Sequence, residues 1–214
     1  TVKSDHEVDL IRRAAAIVDA MHARVFELVE PGLPKNVLVA EIQKQAILGA
    51  GGHWGDYCAF VPILPSGLDA TAPHLTWDDR PFNNNEGTFF ELGGCYRRYH
   101  APLSRTVYLG KPPQKFLDAE SAVQEATQAG LDQCKPGVTC GEVADAFFGT
   151  LSKRGFTKDG KLWEWRKKVL DGKTERTSGS ITLLNESRSE RTFRASSTTA
   201  TAESHGRSSA PASR

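Results

Sequence analysis

The sequence predicts an α+β fold, and three observations carry that prediction. Glu30-Pro31-Gly32-Leu33 closes a long helical stretch and opens a shorter one, and Lys135-Pro136-Gly137-Val138 does the same again later in the chain. Between these two helix pairs lie runs rich in β-branched and aromatic residues, broken by Gly, Pro and Asn clusters. Helix pairs separated by strands, in a repeated order, point to a domain built from two related halves.

The elements follow in order. Ser4 with Glu7 three positions on is a capping box, in which the serine oxygen and the glutamate satisfy each other's orphan backbone N–H groups. Ile11, Ala14, Val18, Met21, Val25 and Leu28 then recur at helical spacing, so a long amphipathic helix runs to the Pro31-Gly32 stop. A second helix is expected from Asn36 to Leu48, closed by Gly49 and the Gly51-Gly52 pair. Residues 57–64 read as a strand, and Pro65-Ser66-Gly67 as a turn. Asn83–Gly87 is a tight connection into a strand over Thr88–Leu92. Gly93-Gly94 reads as a break, and Tyr99–Leu109 as the next strand. A helix from Pro113 to Cys134 stops at Pro136-Gly137, and a second capping box, Thr139 with Glu142, opens a helix ending near Lys153.

Charge is nearly balanced, with 27 Lys plus Arg against 26 Asp plus Glu, so the chain as a whole points to neither nucleic acid nor a membrane surface. No run approaches the roughly 18 apolar residues of a membrane span. The first residues show no basic-then-apolar signal pattern, and the expected compartment is the cytoplasm. Cys58, Cys95, Cys134 and Cys140 show no metal-binding spacing. Cys134 and Cys140 flank a Pro-Gly turn, which leaves a disulfide open beside the reading of four reduced thiols.

Composition divides the chain. Residues 1–157 can build a core, whereas from Thr174 to Arg214 Ser and Thr supply 17 of 41 positions. Residues 161–214 carry 11 Lys plus Arg against 6 Asp plus Glu. Such a stretch cannot bury enough apolar surface to offset its ordering entropy, so residues 158–214 are expected to be a divergent, disordered tail. It reads either as a flexible basic tail or as translation past a frameshift, because the composition changes within a fold rather than at its edge. The strands that should follow the second helix pair have no counterpart in this reading.

The residues with chemistry cluster between Asp69 and Thr106. Glu91 lies between Phe90 and Leu92 in a strand bound for the interior, where a carboxylate is costly unless it has a task or a partner. Gly93-Gly94 beside it permits close approach of a ligand or of backbone. His74 follows Ala72-Pro73 and precedes Leu75-Thr76-Trp77-Asp78-Asp79-Arg80-Pro81; by residue type alone it could be a plain loop histidine. Arg105 on the neighbouring strand could pair with Glu91 or brace the sheet, and His100 could be a strand residue satisfied by hydrogen bonds. Asp78 and Asp79 read as turn residues on a solvated face.

The strand pair Phe89-Phe90-Glu91-Leu92-Gly93-Gly94 and Tyr99-His100-Ala101-Pro102-Leu103-Ser104-Arg105-Thr106 resembles the creatinase/aminopeptidase, or pita-bread, family. Pro62-Ile63-Leu64-Pro65-Ser66-Gly67, the His74 segment and Ser104–Pro113 resemble its ectoine hydrolase branch in particular. The resemblance covers residues 1–157. It implies an incomplete pita-bread domain, with helices packed on a mainly antiparallel, curved sheet and without the domain that ectoine hydrolases place before the first helix. The two aspartates that bind metals in the family fall on Glu91 and Pro102. Proline has no ligand atom, so the resemblance implies a metal-free site without a cofactor. A creatinase carries glutamate where this chain has Ser104.

The activity implied is hydrolysis of ectoine, a cyclic amidine with a carboxylate. Water adds to the amidine carbon and the ring opens to an N-acetyl-2,4-diaminobutyrate. His74 is the expected general acid/base, Glu91 the group against the amidinium, and His100 and Arg105 the expected substrate contacts. The family's further site residues, in the second half, have no counterpart here, so this chain alone is expected to be impaired. Alternatives are a creatinase-like or Xaa-Pro peptidase-like hydrolase, or a non-catalytic binding module. The expected partner is the small-molecule substrate, with the homodimer of the full-length family and with neither nucleic acid nor membrane.

Overall fold

A computed structural model describes residues 2–72 and 74–156, and the backbone of residues 180–184. Helix α1 (Asp5–Leu28) starts at the expected Ser4–Glu7 capping box. Its apolar stripe, including Leu10, Ala14, Ile17, Val18, Met21 and Val25, is buried. Helix α2 (Lys35–Leu48) follows the Pro31-Gly32 turn and buries Leu38, Val39 and Ile42. Strands β1 (Glu86–Tyr96) and β2 (Tyr99–Leu109) form an antiparallel hairpin. Helices α3 (Gln114–Gln133) and α4 (Cys140–Lys153) make the second pair, with the Thr139–Glu142 capping box in place. The fold class is the expected α+β.

Two elements differ from expectation. Residues 57–64 are not a strand. They pass alongside β1 with a bend at Ala59-Phe60 and bond to its backbone at one point, where Ile63 exchanges both backbone bonds with Glu91, while Asp56 just before them donates to the Cys95 carbonyl. Pro62 and Pro65 each remove a donor, which prevents a continuous ladder. Nor do Gly93 and Gly94 break the sheet. β1 continues through both to Tyr96, and the chain reverses at Arg97-Arg98, whose φ angles of 47° and 68° are left-handed.

Crowding explains the glycines. A Cβ on Gly94 would lie 2.1 Å from the Ala14 carbonyl oxygen and 2.7 Å from the Val18 nitrogen. α1 therefore rests directly on the β1 backbone. A Cβ on Gly93, on the other face, would meet the Cys58 sulfur at 2.4 Å and the Phe60 ring at 2.7 Å.

Strand alternation sorts the hairpin into two faces. Phe90, Leu92 and Tyr96 of β1, with Tyr99, Ala101, Leu103 and Val107 of β2, join the core beneath α1. Phe89, Glu91, Gly93 and Cys95 point the other way, opposite Thr106, Ser104, Pro102 and His100. The α3–α4 pair makes a smaller cluster of Ala122, Ala126 and Leu151, with Leu131 and Phe148 exposed. All four cysteines are free thiols, Cys134 and Cys140 being exposed.

Within the stretch expected to be a tail, Ser180–Leu184 forms strand β3, parallel to β2, from Arg105↔Ser180 to Leu109↔Leu184. The sequence reading contains no strand there. The rest of residues 157–214, and with it most of the disorder and frameshift reading, lies outside the described residues. Among the described residues no helix is long and apolar enough to cross a membrane.

Candidate functional site

Glu91 is placed by strand geometry. Its backbone is bonded to Ile63 on one side, at 2.9 and 3.1 Å, and its register partner in β2 is Ser104 on the other. Its side chain projects from the face opposite α1, between Phe89 and Gly93, and is half-buried. Arg105 pairs with Phe90, so its side chain belongs to the α1 face. The Glu91–Arg105 pair that the sequence leaves open is thus excluded by the pleat: one register step puts the two side chains on opposite sides of the sheet. Arg105 instead donates to the Ser104 carbonyl at 2.8 Å and turns its charge toward His22.

His100 shares the Glu91 face but lies at the hairpin end. Its Nε2 accepts from the Ala59 backbone N–H at 3.0 Å, and its Nδ1 donates to the Arg98 carbonyl at 2.9 Å. With both nitrogens engaged, the ring ties the 57–64 segment to the turn. Cys95, 4.0 Å from the same ring, is buried, and burial pushes its thiol pKa up.

His74 is exposed, in a loop that follows a 3₁₀ turn over Gly67–Thr71. One end of that region is anchored to β1, where Ser66 and Thr88 share a bridge and a buried hydroxyl–hydroxyl bond of 2.7 Å. The other end is anchored to the α1–α2 connection: Lys35 N–H donates to the Arg80 carbonyl, Asn36 N–H to that of Asp78, and Phe82 N–H to that of Leu33. Asp78 is therefore no idle turn residue. Its carboxylate accepts from the Arg80 backbone and side chain and lies 3.7 Å from the buried Lys35 ammonium. The Arg80 bonds hold the Asp78 carboxyl below its usual range. Asp69 meets the same guanidinium at Nη2, the nitrogen that also contacts Asp78.

Sequence reasoning also missed His22. It is 3% exposed, and its Nε2 contacts the Leu103 carbonyl at 3.1 Å, while its buried Nδ1 has no partner among the described residues. Burial lowers its pKa to about 4. Its position on the α1 stripe, four residues after Val18, was the available signal, but apolar periodicity does not mark a histidine as core.

The arrangement can be set beside known proteins. The model of metallopeptidase family M24 matches residues 9–177, which carries the family likeness past Gly160, where the motifs end. An ectoine hydrolase from Halomonas elongata is 51% identical over 164 residues, covering 74% of this chain and 41% of the relative. A probable dipeptidase PepE from Mycobacterium tuberculosis is 32% identical over 158 residues, 73% of this chain and 41% of the relative. Among solved structures, dipeptidase PepE from Mycobacterium ulcerans superposes with a TM-score of 0.66 at 28% identity, over 73% of this chain and 41% of that one. A prolidase from Thermococcus sibiricus gives 0.66 at 25% identity, over 73% and 42%. The chain spans about two fifths of the length of these relatives. The fold is part of a pita-bread domain.

The family's name implies metal ions, and the donor set of the hairpin does not match them. Glu91 faces Ser104, and the next position on that face of β2 is Pro102, which has no donor. A carboxylate on one strand only leaves a metal pair without its bridge from the other. Among the described residues no three His, Cys, Asp or Glu side chains are grouped to hold an ion.

Proposed function

This chain belongs to metallopeptidase family M24, and on that premise we propose that it carries one half of a hydrolase site that opens the amidine ring of ectoine. The observation that carries the reading is Glu91: a half-buried carboxylate in mid-strand, facing Ser104 and Pro102 rather than a second carboxylate. A lone carboxylate on a partly apolar face suits an organic cation better than a metal pair. The likeness to the ectoine hydrolase supports the same choice.

Ectoine presents an amidinium and a carboxylate on one ring. Glu91 sets its negative charge against the amidinium, where a low-dielectric surrounding strengthens the attraction. The alternative role for the same carboxylate is attack on the amidine carbon, giving a transient ester that water then cleaves. His74 handles protons: it takes one from the attacking water and returns one to the departing ring nitrogen. Water adds, the ring C–N bond breaks, and N-acetyl-2,4-diaminobutyrate leaves. His100 and Arg105, expected from the resemblance to contact substrate, bond to backbone atoms of Ala59, Arg98 and Ser104, and in this proposal they brace the sheet.

The test is titration of ectoine into the isotopically labelled chain, followed by NMR, with a proline dipeptide as the control ligand. Backbone signals of Glu91 and Ser104 should move with ectoine and stay put with the dipeptide. The variant Glu91→Gln should lose the response. The same shifts from the dipeptide, or none from ectoine, would remove the proposal. Turnover is read separately, as the new primary amine of the product, and is expected to be weak from a chain covering two fifths of its relatives.

A further inference from the structure

The loop that carries His74 is fastened to two different bodies. Its leading end belongs to β1 through Ser66 and Thr88, with Asp69 N–H bonded to the Ser66 carbonyl at 3.1 Å. Its trailing end belongs to the α1–α2 connection through Lys35, Asn36 and Leu33. Arg80 joins the two. Its guanidinium meets Asp69 from the leading end and Asp78 from the trailing end, and Asp78 passes the connection on to Lys35.

We propose that Arg80 is a positioning residue for His74, a clamp joining Asp69 to Asp78 on either side of the histidine that fixes where the imidazole sits. The inference rests on the role of His74 given above, since a general base misplaced by about 1 Å loses on the order of a hundredfold in rate.

The chemistry of the clamp is specific. A planar guanidinium holds several donors in a fixed fork, and here Nε and Nη2 meet Asp78 while Nη2 also meets Asp69, an arrangement that a lysine ammonium cannot reproduce with the same geometry. A single exposed ion pair is weak, and Arg80 is 62% exposed along its side chain. Here one fork serves two carboxylates whose backbones are already anchored, so little further entropy is lost in forming it. The loop itself supplies little that would hold it. Leu75 N–H reaches the Ala72 carbonyl at 3.4 Å, and Leu75 and Trp77 stand 46% and 36% exposed.

Backbone ¹⁵N relaxation on the full chain tests this without requiring turnover. Order parameters of residues 74–77 should lie near the rigid value of about 0.85 in the parent and fall below about 0.6 in Arg80→Gln. Those of α1 and β1, and the thermal midpoint, should hold. Arg80→Lys keeps one carboxylate and should fall between. Should Arg80→Gln fail to fold, Asp69→Asn removes one arm of the fork and should show a local loss of the same size as Arg80→Lys. Residues 74–77 as ordered in Arg80→Gln as in the parent would overturn the clamp.

Where ectoine is turned over, kcat should drop in Arg80→Gln far more than KM rises, and an unchanged kcat would equally overturn the positioning role. A loosened loop in a chain that ignores ectoine would instead retire the hydrolase reading and keep the clamp. Glu91→Gln, which leaves the loop untouched, should abolish the ectoine response with no change in these order parameters.

Discussion

Glu91 and Arg105 stand one register step apart on adjacent strands, yet their side chains leave opposite faces of the sheet. Glu91 pairs with Ser104 and Arg105 with Phe90. The two charges are separated by the sheet itself, so the carboxylate is not neutralised by its nearest arginine in sequence pattern. A double-mutant cycle with Glu91→Gln and Arg105→Gln should give stability effects that add to within about 0.5 kcal/mol. Urea unfolding of the four proteins measures it.

His22 makes stability depend on pH. Its pKa is about 4 in the fold, against about 6.5 in an unfolded chain. The folded state thus binds fewer protons, and the contribution is fully present above pH 6.5 and is lost as pH falls toward 4. The loss should reach about 2 kcal/mol by pH 5 and about 3 kcal/mol when complete. His22→Gln should flatten that part of the pH–stability curve, as read by urea midpoints between pH 7 and 4.

Gly94→Ala should be destabilising by about 3 kcal/mol, because the new methyl meets α1 backbone atoms, which cannot turn aside as a side chain can. Gly137→Ala is the contrast. Its Cβ would meet nothing within 4 Å, but φ is +92°. Only local strain opposes it, and about 1 kcal/mol is expected. Thermal unfolding of the two variants separates crowding from strain.

Thr139→Ala removes the hydroxyl that accepts the Glu142 N–H at 3.2 Å. The capping box of α4 should lose about 1 kcal/mol. Because α4 buries Leu151 alone along its length, the loss should appear as faster amide exchange within α4 before it appears in global unfolding.

Much of this molecule is legible in its residues. Capping boxes at Ser4 and Thr139, the Pro-Gly stops and the stripe from Leu10 to Val25 specify the helices, since each is a local pattern acting over a few residues. Family membership is local in the same sense, carried by short runs around His74, Glu91 and Thr106. Residues 57–64 show the limit. Their composition favours a strand, but Pro62 within them, Pro65 just after them and a single exchange of bonds with Glu91 keep them out of the sheet.

Gly93-Gly94 marks the boundary most clearly. The pair is equally consistent with a break and with close packing, and the choice belongs to α1, whose backbone lies against Gly94. Likewise the sequence by itself determined that a carboxylate, a histidine and an arginine would occur on one hairpin. Only the tertiary structure decided that Glu91 and Arg105 would part company, that His100 would be spent on backbone atoms, and that Arg80 would bridge Asp69 to Asp78. Helical pattern depends on neighbours three and four residues away, whereas strand register and charge pairing depend on partners that chain folding brings together.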